Sequence, residues 1–151
     1  MNIPLTHLGK ARALFLKIID GLTLEQVNAI PKGHRNSIAW NLAHLVVTQQ
    51  LLCYKLSGLP CAVPEDMIQS FQKGTIPSKA LSQENFEAIK SLFVALPLAL
   101  EKDLEAGVFK NYTPYTTSVG IVLSNIEEAL SFNAFHEGIH LGVVLSLKKL
   151  V

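Results

Sequence analysis

Five histidines carry most of the chemical promise of this chain, and two of them stand in His136-Glu137-Gly138-Ile139-His140. On a helix each residue advances about 100° and 1.5 Å, so His136 and His140 share one face, one turn apart. That spacing lets two imidazoles ligate a single metal ion. His44 stands in Trp40-Asn41-Leu42-Ala43-His44-Leu45, inside a long stretch without charge. Bundles build metal sites from side chains on facing helices, which makes His44 the expected third ligand. Three neutral imidazoles suit Zn, Ni, Cu or Fe. They leave a position for water or substrate, the arrangement of a catalytic rather than a structural site.

Glu137 completes a match to H-E-x-x-H, in which the glutamate serves as general base on metal-bound water. Metalloproteases with that motif take a further protein ligand from downstream. Only eleven residues follow His140, and none is His, Asp, Glu or Cys. The protease reading is therefore set aside. Glu137 stays a candidate base, with orienting an imidazole or lying in a dimer interface as alternatives. His7, in the first turn of a helix, and His34, in a polar loop, are expected to be exposed. Cys53 follows His44 by nine residues and should point away from the site. Cys53 and Cys61 read as free thiols, one packed and one in a loop. Trp40, Tyr112 and Tyr115 are expected to pack, with lining a pocket as the alternative.

Four long segments must position these residues. Residues 4–20 carry Leu8, Ala11, Phe15 and Ile18 on one face and end at Gly21. Residues 36–56 begin at the capping residues Asn36 or Ser37 and close at Ser57-Gly58-Leu59-Pro60. Residues 82–105 carry the stripe Phe86, Ile89, Phe93 and Leu96, with Pro97 predicting a kink or break near Val94. Residues 124–149 open with a capping box, Ser124 and Glu127, and end on Lys148 and Lys149, which suit the helix dipole. Short helical turns are expected at 24–29 and 64–71, and a Tyr- and Thr-rich loop at 108–120. No segment alternates long enough to predict a sheet. The fold class is all-α, a four-helix bundle in a single domain over 1–151.

Composition narrows the function. The chain has 151 residues, 49% hydrophobic and 17% charged, enough to bury one sizeable core. Its net charge is +1 and it has no basic stripe, so a nucleic-acid partner is not expected. The stretch 36–54 contains Asn41, His44, Gln49 and Gln50 and is a poor membrane span. Lys10, Arg12 and Lys17 interrupt the first segment, which does not read as a signal peptide. Free cysteines and no membrane segment make a cytoplasmic setting the expectation.

These residues resemble the DinB/YfiT-like superfamily of damage-inducible metalloproteins across nearly the whole chain. The likeness is sharpest at Asn36-Ser37-Ile38-Ala39-Trp40-Asn41-Leu42-Ala43-His44-Leu45 and at Phe135-His136-Glu137-Gly138-Ile139-His140-Leu141-Gly142. The resemblance implies a four-helix bundle with a long crossover connection, often a homodimer. It implies a triad matched by His44, His136 and His140, holding nickel or zinc. Characterised members include metal-dependent transferases and isomerases that use low-molecular-weight thiols such as bacillithiol or mycothiol. The expected function is therefore a metal-dependent transferase acting on a small molecule with such a thiol. The alternatives are a hydrolase with Glu137 as base and a non-catalytic metal-binding or sensing module.

Overall fold

A computed structural model describes residues 3–151. The elements run α1 (Ile3–Ile19), α2 (Leu24–Asn28), α3 (Ile38–Gln49), α4 (Glu65–Phe71), α5 (Gln83–Glu105), β1 (Tyr115–Thr116), β2 (Val122–Leu123) and α6 (Ile126–Leu147). A π turn (Gln50–Tyr54) and a 3-10 turn (Lys55–Ser57) prolong α3, and a 3-10 turn (Lys148–Leu150) follows α6. The four long helices form an all-α bundle: α1 packs on α5 and α6, and α3 packs on the same two helices. Thus α1 and α3 sit across the bundle from each other. Residues 58–82 make the long crossover from α3 to α5, and α4 within it packs on α3. Among the described residues no helix is long and apolar enough to cross a membrane.

The helix starts follow capping chemistry. Ser37 accepts a hydrogen bond from the Trp40 N–H, and Ser82 one from the Asn85 N–H. Thr23 and Gln26 form a reciprocal capping box that starts α2. α6 departs from the sequence expectation by one residue. Its cap is Asn125, which accepts from the Glu128 N–H, while the Glu128 carboxylate reaches back to the Ser124 N–H. Asn is at least as good a cap as Ser, and its neighbour won.

The crossover is pinned at several points. The Gln50 side-chain oxygen accepts from the Ala62 N–H at 2.8 Å, and Trp40 Nε1 donates to Thr75 Oγ1 at 3.2 Å. Asn28 both accepts from the Leu81 N–H and donates to the Leu81 carbonyl. After α5, the expected loop contains a two-residue antiparallel pair, with Tyr115 opposite Leu123 and Thr116 opposite Val122. Strands this short leave no alternation to read in a sequence. The turn between them uses Gly120 at φ +81°.

The core is divided. One apolar cluster includes Phe15, Ile19, Leu42, Leu45, Phe93 and Val144, and another includes Leu5, Leu8, Cys53, Leu100 and Leu130. Along each long helix the boundary falls at a polar residue or a proline: Arg12, Gln49-Gln50, Pro97, and Asn133 with Glu137. These polar side chains are all buried. In α1 the buried line is Leu5, Leu8, Arg12, Phe15 and Ile19, rather than the expected line through Ala11 and Ile18.

Arg12 organises this layer. Its Nε and one terminal nitrogen donate to Glu137 Oε1 on α6 at 3.0 and 2.7 Å. It also donates to the Phe93 carbonyl on α5 at 2.9 Å and to the Leu45 carbonyl on α3 at 3.3 Å. Hence one guanidinium on α1 bonds to all three other long helices. Pro97 explains the Phe93 acceptor. Its ring nitrogen has no hydrogen, so the carbonyl four residues earlier lacks its helical donor. α5 nevertheless runs unbroken from Gln83 to Glu105. Of the expected kink or break near Val94, the break does not occur, and Arg12 supplies a donor to the carbonyl that proline leaves free.

Breaking this pair on one side should be costly. Arg12→Met strands the buried Glu137 carboxylate and is expected to destabilise the protein by about 3–5 kcal/mol. Adding Glu137→Met should recover much of that loss. Urea midpoints of wild type, single and double variants check this, and a single variant as stable as wild type contradicts it.

Candidate metal centre

α3 and α6 bring the three expected histidines together. His44 lies on the buried second turn of α3, and His136 and His140 on successive turns of α6. His136 Nε2 is 3.4 Å from His44 Nε2 and 3.2 Å from His140 Nε2. One nitrogen from each ring lies within 4.8 Å of the others. Two nitrogens bound at about 2.0–2.1 Å to one tetrahedral metal sit about 3.3–3.4 Å apart. The spacing therefore fits a metal ion.

The hydrogen bonds around the rings decide which nitrogen faces inward. His44 Nδ1 lies 2.7 Å from the Phe71 carbonyl. A carbonyl can only accept, so Nδ1 carries the proton and Nε2 presents its lone pair. The Phe71 carbonyl is one of the unpaired acceptors at the end of α4. His140 Nδ1 lies 2.7 Å from Asn41 Oδ1. The Asn41 amide nitrogen donates to the Ser37 carbonyl, which fixes its oxygen toward His140. His140 Nε2 is likewise left as a lone pair. His136 Nδ1 is buried without a partner. Thr48 Oγ1 lies 3.3 Å from His44 Nε2, and Trp40 stacks on the His44 ring at 4.6 Å.

The electrostatics favour neutral rings. Burial pushes His136 down to about 4, with His44 adding to the shift. Burial pushes His140 down to about 3, with His136 and His44 adding to it. His44 is also lowered by burial, against a smaller opposing effect of its bond to Phe71. Neutral imidazoles are the metal-ligating form.

A cleft of about 780 Å³ opens onto all three rings. Its walls are Asn36 before α3, one face of α3 with Trp40, His44 and Thr48, and one face of α6 with Phe132, His136, His140 and Val143. The hairpin adds Tyr115, Thr117 and Val119. Trp40 and Tyr115 thus line the cleft, whereas Tyr112 packs on the second apolar cluster and donates to the Leu52 carbonyl.

The sequence model of the DinB superfamily matches residues 7–144. The chain belongs to the DinB superfamily. No curated protein matches the chain.

The remaining sequence candidates of this DinB-superfamily chain lie elsewhere. Glu137 does not line the cleft; it is 1% exposed and bound to Arg12. Burial raises its carboxyl above the ordinary range, and Arg12 opposes that shift. Cys53 is fully buried in the second cluster, and burial pushes its thiol up to about 12. It is no ligand and no nucleophile. His7 and His34 are exposed, as expected, although His34 lies at the mouth of the cleft. Sequence reasoning missed Asn41, Phe71 and Arg12. Asn41 carried a signal, an amide three residues before His44 on the same helix face. The Phe71 contact is made by a backbone atom and has no side-chain signature.

Partners that orient metal-ligating histidines typically contribute about 10–100-fold to metal affinity. Asn41→Leu is expected to weaken zinc binding by that order, measured by competition with a chromophoric chelator. Unchanged affinity would show that His140 is oriented by something else.

Proposed function

We propose that this protein is a metal-dependent enzyme, with His44, His136 and His140 holding one divalent ion, Ni or Zn. Its reaction would be transfer of a low-molecular-weight thiol to a small electrophile. The observation that carries this reading is the convergence of three Nε2 atoms, two of them with fixed lone pairs, at the floor of a cleft large enough for a small molecule. A metal held there would act as a Lewis acid and lower the pKa of a thiol. The chain's own residues do the positioning. Phe71 and Asn41 hold the imidazole protons on Nδ1, Trp40 stacks against His44, and the apolar wall excludes water. In the transfer the thiol sulfur bonds to carbon, the leaving group departs with the bonding pair, and the thiol proton passes to solvent.

The hydrolase alternative asks Glu137 to act as a base on water. Its carboxylate lies outside the cleft and takes two hydrogen bonds from Arg12, which favours a structural role. Thiol transfer requires no such base.

The deciding experiment is metal content by elemental mass spectrometry on wild type and on His136→Ala/His140→Ala, followed by turnover of a chloronitrobenzene electrophile with and without added small thiol. About one equivalent of Ni or Zn is expected, lost in the variant, with turnover that needs both metal and thiol. Thiol-independent hydrolysis abolished by Glu137→Gln would favour the hydrolase. Tight metal without turnover would favour a sensing module, and a metal-free wild type after reconstitution would end the reading.

The protein is also proposed to be a homodimer. α6 also exposes apolar side chains: Phe135 is 52% exposed, Leu145 is exposed, and Ile139 and Val143, which line the cleft, are partly open to solvent too. Exposed apolar surface of this kind usually meets a partner. Light scattering at micromolar concentration should give twice the chain mass, and a monomeric mass would contradict it.

A further inference from the structure

The cleft is chemically asymmetric along its length. One end holds His34 and Arg35, immediately before α3, and Lys73. Lys73 falls between Phe71, bonded to His44, and Thr75, bonded to Trp40. It therefore lies beside the early turns of α3, the same end as Arg35. The opposite end is walled by Leu51, Leu52 and Leu56 on the prolongation of α3 and by Phe132 on α6, with Lys55 the one charge. The triad lies between. At about 1.5 Å per residue, Ile38, which opens α3, is roughly 9 Å from the level of His44 along the helix axis, and Arg35 lies beyond it.

No Asp or Glu lines this cleft, although the chain has 13 basic and 12 acidic residues. The basic end is thus a local excess of positive charge. Nor are its cations neutralised elsewhere. The ion pairs among the described residues are Arg12 with Glu137 and Lys90 with Glu87. Arg35 and Lys73 are exposed and unpaired. Concave sites lined by one sign of charge concentrate ligands of the opposite sign.

We infer that the cleft takes an anionic ligand, whose carboxylate or phosphate sits between Arg35 and Lys73 while its reactive end reaches the histidine triad. This rests on the metal-dependent thiol-transfer reading and deepens it. The thiol substrate is the acidic partner, and the electrophile carries the apolar part that fills the end walled by Leu52, Leu56 and Phe132. Arg35 and Lys73 are positioning residues, remote from the reacting atoms. A guanidinium offers paired donors to a planar or tetrahedral anion, and Lys73 adds a point charge.

Calorimetric titration of the metal-loaded protein with mercaptosuccinate, succinate and uncharged monothioglycerol tests this. Mercaptosuccinate should bind tightest, and more weakly as salt rises. Arg35→Gln/Lys73→Gln should weaken mercaptosuccinate and succinate by about tenfold and leave monothioglycerol within about twofold. Both substituted residues are exposed, so the fold should persist. A double variant without effect on the dianions, or no dianion binding at all, overturns the inference. So does succinate binding that survives in this variant but vanishes in His136→Ala/His140→Ala, because the metal would then be the anion's only anchor. If succinate and mercaptosuccinate bind equally and both depend on Arg35 and Lys73, the anion site stands and the thiol-transfer reading fails. Methyl phosphate in place of succinate distinguishes the acid, and dependence on the same two residues with either supports the inference.

Discussion

A single buried guanidinium holds the bundle in order. Arg12 is 2% exposed, and Glu137 answers its charge at 1% exposure. Charges this deep are tolerable only when paired and fully hydrogen-bonded. Arg12 meets that condition by bonding to Glu137, Phe93 and Leu45, one acceptor on each of the other long helices. Two of those acceptors are sequence neighbours of the clustered histidines: Glu137 adjoins His136, and Leu45 adjoins His44. The same contact that sets the spacing of α1, α3, α5 and α6 thereby fixes the backbone on which the three imidazoles are mounted.

The site is built in concentric steps. Backbone and amide acceptors, Phe71 and Asn41, set the tautomers of two rings. Burial favours the neutral form of all three. The cleft opens onto all three rings, and the polar layer of Arg12 and Glu137 lies outside its lining. Within that layer Glu137 is held by Arg12, apart from the imidazoles.

Much of this was legible in the chain. The shared face of His136 and His140 could be read from their spacing on α6, since helical geometry converts sequence distance into direction, whereas His44 was singled out mainly by its match to the family pattern. The stripe Phe86, Ile89, Phe93 and Leu96 predicted the buried face of α5 correctly. What escaped depended on partners far away in sequence. A lone arginine between Leu8 and Phe15 looks like an interruption until Glu137, 125 residues on, is placed opposite it. Pro97 looks like a helix breaker until the freed Phe93 carbonyl finds that arginine. The cap of α6 moved from Ser124 to Asn125 because neighbouring residues offered nearly equal chemistry. The family match over residues 7–144 confirms the fold that these patterns imply.

One feature of the crossover reaches further than its size suggests. α4 is a seven-residue helix without a side-chain N-cap, and its last carbonyl holds the His44 ring. Ring orientation and crossover docking are consequently two readings of one equilibrium. Any ion that favours the aligned ring must, by the reciprocity of linked equilibria, also favour a seated crossover. An ion at the three rings would therefore act as a latch on the crossover, adding to the contacts that Gln50, Trp40 and Asn28 already make with it.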